Sequence, residues 1–227
     1  MKNNPNPWLT IYPQLILKIF IILNIVAIFS YPGGTYINKN TADYSITQNF
    51  LSDLGKTISF SGEINFISSQ LFNMSLIMAG TIFILFYINV KKIFCNNNQK
   101  HLAMIGSLFG IFGGFSLIGV GITPSDLYLD MHIIFATWLF RFFLIASICY
   151  SVVILIDENF PNRYASGYLL FTLSILLYIL ISELGPDPKI NVFSLAIQVV
   201  AQKIILIIFM LSVYIQTIGF NKIEYYE

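Results

Sequence analysis

Six stretches of nearly unbroken apolar residues divide the chain, at about 13–31, 64–90, 102–122, 131–156, 165–184 and 194–219. Each reaches the length of roughly 20 residues that a helix needs to cross a hydrocarbon core. The segments between them carry strong stop signals: Tyr31-Pro32-Gly33-Gly34 after the first run, Thr123-Pro124-Ser125-Asp126 after the third, and Gly185-Pro186 after the fifth. Proline cannot continue a helix, and it biases the residue before it away from helical geometry. The pattern predicts an all-α, polytopic integral membrane protein, a bundle of six transmembrane helices forming one domain over residues 1–227. A shorter amphipathic pattern predicts an additional interfacial helix near 45–55, with Ile46, Phe50, Leu51 and Leu54 at helical spacing and Gly55 as its stop.

Composition removes the soluble alternatives. The chain is 56% hydrophobic and 10% charged, where a soluble domain is about one-quarter charged. A net charge of +1 provides no basic surface for nucleic acid, so membrane lipids are the expected surroundings and nucleic acid is not an expected partner. Cys95 and Cys149 have neither metal nor redox spacing, and no cofactor is predicted. Lys2, Lys91, Lys92, Lys100, Arg163 and Lys222 gather at one set of helix ends, against Lys39, Lys56 and Lys189 at the other. The positive-inside rule then predicts a cell-membrane protein with both termini cytoplasmic. Asp43, Asp53, Glu63, Asp126, Asp130 and Asp187 fall on the predicted outer side.

The chemistry concentrates on that side. The interruption from Gly119 to His132 holds Asp126, Asp130 and His132 within seven residues, and Ser125 or Asp126 is placed to cap the helix that follows. Arg141 lies about 15 Å into the fourth run, and Lys203 is similarly deep in the sixth. A cation at a helix centre costs roughly 2.5–3.5 kcal/mol on insertion scales, so both should face the protein interior and be paired. Glu183 is the acid best placed for Lys203, and Asp130 shares a stripe with Arg141. Gln198 and Gln202 lie one turn apart on the last helix. Asn65, Ser69 and Asn73 make a polar stripe on the second, which suits either a hydrated cavity or interhelical hydrogen bonding. The glycines of the third run, Gly106, Gly110, Gly113, Gly114, Gly119 and Gly121, include a G-x-x-x-G spacing and predict close helix packing.

Together these residues predict an outward-facing polar pocket that binds, and in one reading modifies, a lipid-like or small anionic ligand. Asp126, His132 and Asp53 are the candidate acid–base groups, and Ser52, Asp130, Arg141, Glu183, Gln198, Gln202 and Lys203 the candidate ligand contacts. A single histidine on that side, without H-x-x-x-H spacing, gives no metal site. A proton-coupled transporter and a non-catalytic accessory protein are the alternatives. Transport is disfavoured by the lack of a clear repeat or of matched broken helices.

The segment Tyr44 to Gly55, the turn Gly121-Ile122-Thr123-Pro124-Ser125-Asp126, His132 and the pair Gln202-Lys203 resemble, in order and placement, the prokaryotic membrane family described as domain of unknown function 998. The family's first motif resembles S-[DE]-L-G, here Ser52-Asp53-Leu54-Gly55. Its second is P-x-D followed by a histidine, and its last helix often has a polar residue before Arg, where this chain has Lys203. Lysine lacks the bidentate fork of arginine. The resemblance covers about residues 13–219 and implies a six-helix fold with a shared outer-face polar site, without implying a reaction.

Overall fold

A computed structural model describes residues 6–94, 96–158 and 160–222, together with the backbone alone at 97 and 98; Lys2, Cys95 and the tail 223–227 lie outside it. Six helices are long and apolar enough to cross a membrane: α1 Ile11–Phe29, α2 Phe66–Val90, α3 Asn97–Ile122, α4 Leu129–Ile156, α5 Ala165–Leu184 and α6 Val192–Phe220. The α3 helix starts before its apolar run, because the polar turn around Gln99 continues the helix and Gln99 Nε2 donates to the Ile156 carbonyl that ends α4.

Each helix packs on the next in the chain, and α1 closes the ring against α6. Gln14 Nε2 donates to Thr217 Oγ1 at 2.9 Å across that seam, so the two ends of the described chain share one end of the bundle. We call it the basic end, after Lys91, Lys92, Lys100, Arg163 and Lys222. The other is the acidic end, where Asp53, Asp126, Asp130 and Glu183 lie.

Close contact between α2 and α3 depends on missing side chains. A Cβ at Gly80 would stand 2.5 Å from the Gly114 carbonyl oxygen, and one at Gly110 would enter the Tyr87 ring. The basic half of the interior is filled by aromatic side chains. Tyr150 stacks on Tyr168 at 5.5 Å, and its hydroxyl pairs with Ser107 Oγ at 2.6 Å. Above them Phe83, Phe143, Phe171 and Phe209 form a cluster with centroid spacings of 5.0–6.4 Å.

The segment between α1 and α2 departs from the amphipathic-helix expectation. Residues 46–48 form a turn, and the helical part narrows to a single 3-10 turn, Leu51–Gly55. It does not lie along an interface. Asp53, Leu54 and Gly55 are buried, and Leu51 N donates to Gln202 Oε1 at 2.8 Å. Gln202 is ten residues into α6, about 15 Å from its start at 1.5 Å per residue, so the turn dips between the helices as a plug. The chain reaches it through Gly33 and Gly34, whose φ values of 116° and 82° carry it sharply off the end of α1.

Replacing Gly80 with alanine should lower the thermal midpoint of the protein in lipid nanodiscs, because the new Cβ meets backbone rather than a movable side chain. Overpacking of this kind costs about 1–3 kcal/mol. Thr81→Ala, on the exposed face, should change the midpoint little.

Candidate functional site

The plug is held through its backbone. Asn65 Nδ2 donates to the carbonyls of Leu54 and Lys56, Ser68 Oγ to that of Leu54, and Ser69 Oγ and Asn73 Nδ2 to that of Gly55, all at 2.8–3.2 Å. Gly55 has no room for a side chain, since its Cβ would come 2.5 Å from Asn73 Oδ1. The polar stripe of α2 is therefore a receptor for the plug's carbonyls and not the wall of a hydrated cavity.

Asp53 organises the plug from within. Its Oδ2 accepts from Phe50 N at 2.8 Å, so the third residue of the turn reaches back to its start as in a capping box, and from Asn49 Nδ2 at 3.3 Å. Asn49 also donates to the Gly34 carbonyl and accepts from Ser45 N. Lys203 enters from α6, with Nζ donating to the Asn49 carbonyl at 2.6 Å and lying 5.4 Å from the Tyr44 ring centroid. Burial raises the Asp53 carboxyl to about 6, against the opposing pull of Asn49, Lys56, Phe50 N–H and Lys203.

Asp126 secures the loop that follows the plug. Its carboxylate accepts from Thr57 N, Thr57 Oγ1 and Ile58 N at 2.5–3.0 Å. Partial burial pushes its pKa up, but the Thr57 hydroxyl and these N–H groups prevail and hold it below the ordinary value. The expected capping of α4 by Ser125 or Asp126 is not formed. The N-cap is Tyr128, without a side-chain cap, because the Asp126 oxygens are turned to Thr57 and Ile58.

A cavity of about 130 Å³ lies beneath the plug, lined by residues of all six helices. Its floor includes the phenylalanine cluster of Phe83, Phe143, Phe171 and Phe209, and its walls are almost wholly aliphatic or aromatic. Among the described residues, only Ser52, His132 and Gln202 bring polar side chains to it. His132 is 7% exposed, and its Nδ1 lies 2.7 Å from the Thr123 carbonyl oxygen at the end of α3. A carbonyl can only accept, so Nδ1 carries a proton, and in the neutral ring Nε2 then keeps a lone pair.

The structure thus brings three of the predicted site residues together at the cavity and sends the others elsewhere. Asp53, Asp126 and Lys203 hold loops. Gln198 Nε2 donates to the Ile181 and Pro186 carbonyls, fixing the α5–α6 connection. Asp130 is exposed in the first turn of α4.

The expected pairing of Glu183 with Lys203 is replaced by one with Arg141, whose Nη2 contacts Glu183 Oε1 and whose Nη1 donates to the Thr137 carbonyl. Arg141 and Lys203 both lie on helices that start at the acidic end and both lean toward it; Lys203 is engaged there by the Asn49 carbonyl, and Arg141 is the cation that meets Glu183 at the end of α5. Asp130 and Arg141 share a stripe but stand eleven residues apart, about 16 Å along the helix and beyond pairing distance. Sequence reasoning missed the apolar lining, of which Leu76, Ala79, Leu117 and Val120 are typical. In a chain this hydrophobic nothing in their local pattern sets them apart from packing residues.

A membrane bundle with a re-entrant plug above an apolar cavity is the class of protein that fold and site define. Residues 25–214 match the family model described as "Protein of unknown function (DUF998)", and the chain belongs to that family. No curated protein and no solved structure matches it.

Two measurements address the plug and its loop. Asp53 binds its proton more tightly in the folded chain than at the ordinary value of 3.8, so its contribution to stability is complete below that value and is lost as pH rises through about 6. The thermal midpoint in nanodiscs should therefore carry a component that falls between these values and is missing in Asp53→Asn. Asp126 acts with the opposite sign, losing its contribution as pH falls through its lowered value. Asp126→Ala should free the Thr57 and Ile58 amides to water and speed their hydrogen exchange, at a cost of about 0.5–1.5 kcal/mol, since these hydrogen bonds are exposed.

Proposed function

We propose that this protein binds a lipid-like amphiphile inside the bundle, with a segment of its chain in the central cavity and its head at Ser52, His132 and Gln202. The observation that carries this reading is the cavity itself, lined by residues of six helices and apolar except at three side chains near the plug. Its volume is close to the roughly 150 Å³ of an engineered apolar cavity that stays dry and takes up benzene, a size suited to about six carbons. Packed interiors seldom retain such a void, and the lining gives up dispersion contacts to keep it.

In this reading Asp53 and Asp126 have no direct part in chemistry, because neither lines the cavity. Any proton transfer to or from the bound molecule would use Nε2 of His132 as the base. The positive-inside rule supports reading the basic end as cytoplasmic in a cell membrane, with the plug and the acidic end facing outward. A membrane-impermeant maleimide should then label Ser125→Cys in intact cells, in a background lacking both native cysteines, and labelling only after permeabilisation would reverse the orientation.

A second reading, an accessory role, is favoured by one observation. The Arg141–Glu183 pair joins two membrane-spanning helices, yet its side chains are 35% and 49% exposed, whereas intramembrane charges ordinarily face a protein interior or a water-filled space. Copurification of a stoichiometric protein partner that is lost in Glu183→Gln would support that role.

The test of the main reading is to fill the cavity. Ala79→Leu and Ala136→Phe place methylenes or a ring inside it. Both variants should stay folded while losing the thermal protection that hexanol gives the wild type. Equal protection of wild type and variants would count against an internal site.

A further inference from the structure

We infer that the head recognised at the plug is neutral and carries a hydroxyl group, making the ligand a long-chain or prenyl-type alcohol and not a carboxylate, phosphate or quaternary amine. This rests on the cavity reading above and specifies its chemistry. The first ground is that none of the polar groups meeting the cavity carries a formal charge. Ser52 and Gln202 are uncharged, and among the described residues no carboxylate pairs with the His132 ring to hold it as a cation.

The second ground is that the nearby ions are committed elsewhere. Lys203 Nζ is on the Asn49 carbonyl, Arg141 is on Glu183, and Asp126 is surrounded by donors from Thr57 and Ile58. No lysine or arginine is among the described residues that line the cavity, so an anion there would be desolvated without a counter-charge in contact, which costs far more than burying a neutral hydroxyl that finds partners.

The third ground is the sense of the hydrogen bonds. With Nδ1 bound to the Thr123 carbonyl, His132 offers an acceptor at Nε2, which needs an O–H or N–H donor on the ligand. Gln202 spends its Oε1 on Leu51 N and retains an NH2 group that donates. Ser52 Oγ has no hydrogen bond to another described residue and can act in either sense. A hydroxyl meets this set completely, donating once to His132 and accepting from Gln202 or Ser52. A carboxylate, a phosphate diester or an ether has no proton for Nε2. A quaternary ammonium offers neither a donor nor an acceptor.

The experiment uses the full chain in nanodiscs and a hexanol carrying an alkyl diazirine, with photolabelled peptides mapped by mass spectrometry. Hexanol, hexyl methyl ether and hexanoate serve as competitors at neutral pH, each corrected for its partition into the bilayer. The inference expects labelling on cavity residues that hexanol displaces at least about tenfold better than the other two, the difference one hydrogen bond can make. His132→Asn keeps a side-chain N–H near the Thr123 carbonyl while removing the acceptor at the Nε2 position. It should stay folded, retain labelling and lose the preference for hexanol. Cavity labelling displaced equally by all three, or best by hexanoate, overturns the hydroxyl head and leaves the cavity reading standing. So does a preference that survives in folded His132→Asn. If the probe does not label the cavity, the cavity reading itself fails and this inference with it.

Discussion

A backbone carbonyl or amide left unpaired in a hydrocarbon slab costs several kcal/mol, and irregular backbone therefore survives at membrane depth only where protein groups satisfy it. The turn Leu51–Gly55 is such a segment, and much of the acidic half of the bundle is arranged to satisfy it. Asn65, Ser68, Ser69 and Asn73 of α2 take its carbonyls, Gln202 of α6 takes its first amide, and Asp53 closes it from within. Lys203 and Asn49 then bind the preceding stretch, and Asp126 binds the following one. With this network complete, the plug sits about 15 Å below the start of α6 and roofs the cavity.

The network also determines what kind of site lies beneath it. Because the plug consumes the charged and amide groups of its neighbourhood, few remain for a ligand. Three uncharged side chains meet an apolar void whose floor is aromatic. The division resembles that of many ligand pockets, where apolar walls supply most of the contact and a few directed polar groups fix orientation. Here the supporting shell is unusually polar and the contacting shell unusually apolar, the reverse of a solvated catalytic cleft.

The helices were legible in the sequence because each apolar run is long enough to span a bilayer and is bounded by proline, glycine or polar clusters. Gln202 was legible as a candidate because a polar group within an apolar run is costly and calls for a reason, and Ser52 and His132 because they lie in the polar segments gathered at the acidic end. The residues grouped with them were chosen on these same two grounds, but a carboxylate that holds a loop and one that holds a ligand have the same local sequence. Asp126 looked like a helix cap with a free carboxylate until its three donors from Thr57 and Ile58, almost seventy residues away, were placed beside it. Glu183 and Arg141 illustrate a related ambiguity, since two cations of similar depth lean toward the same end and the pairing depends on a distant group, the Asn49 carbonyl, that engages Lys203.

The sequence by itself determined an integral membrane protein of six helices, the close packing of a glycine-rich third helix, and the gathering of the acidic residues at one set of helix ends. These follow from transfer free energies and helix geometry, which act residue by residue. Only the tertiary structure decided that the segment before Gly55 is a buried plug, that the polar stripe of α2 serves its backbone, and that the space below is apolar. Those outcomes depend on which distant donors and acceptors are brought within about 3 Å of each other, a property of the folded chain with no signature in any local window.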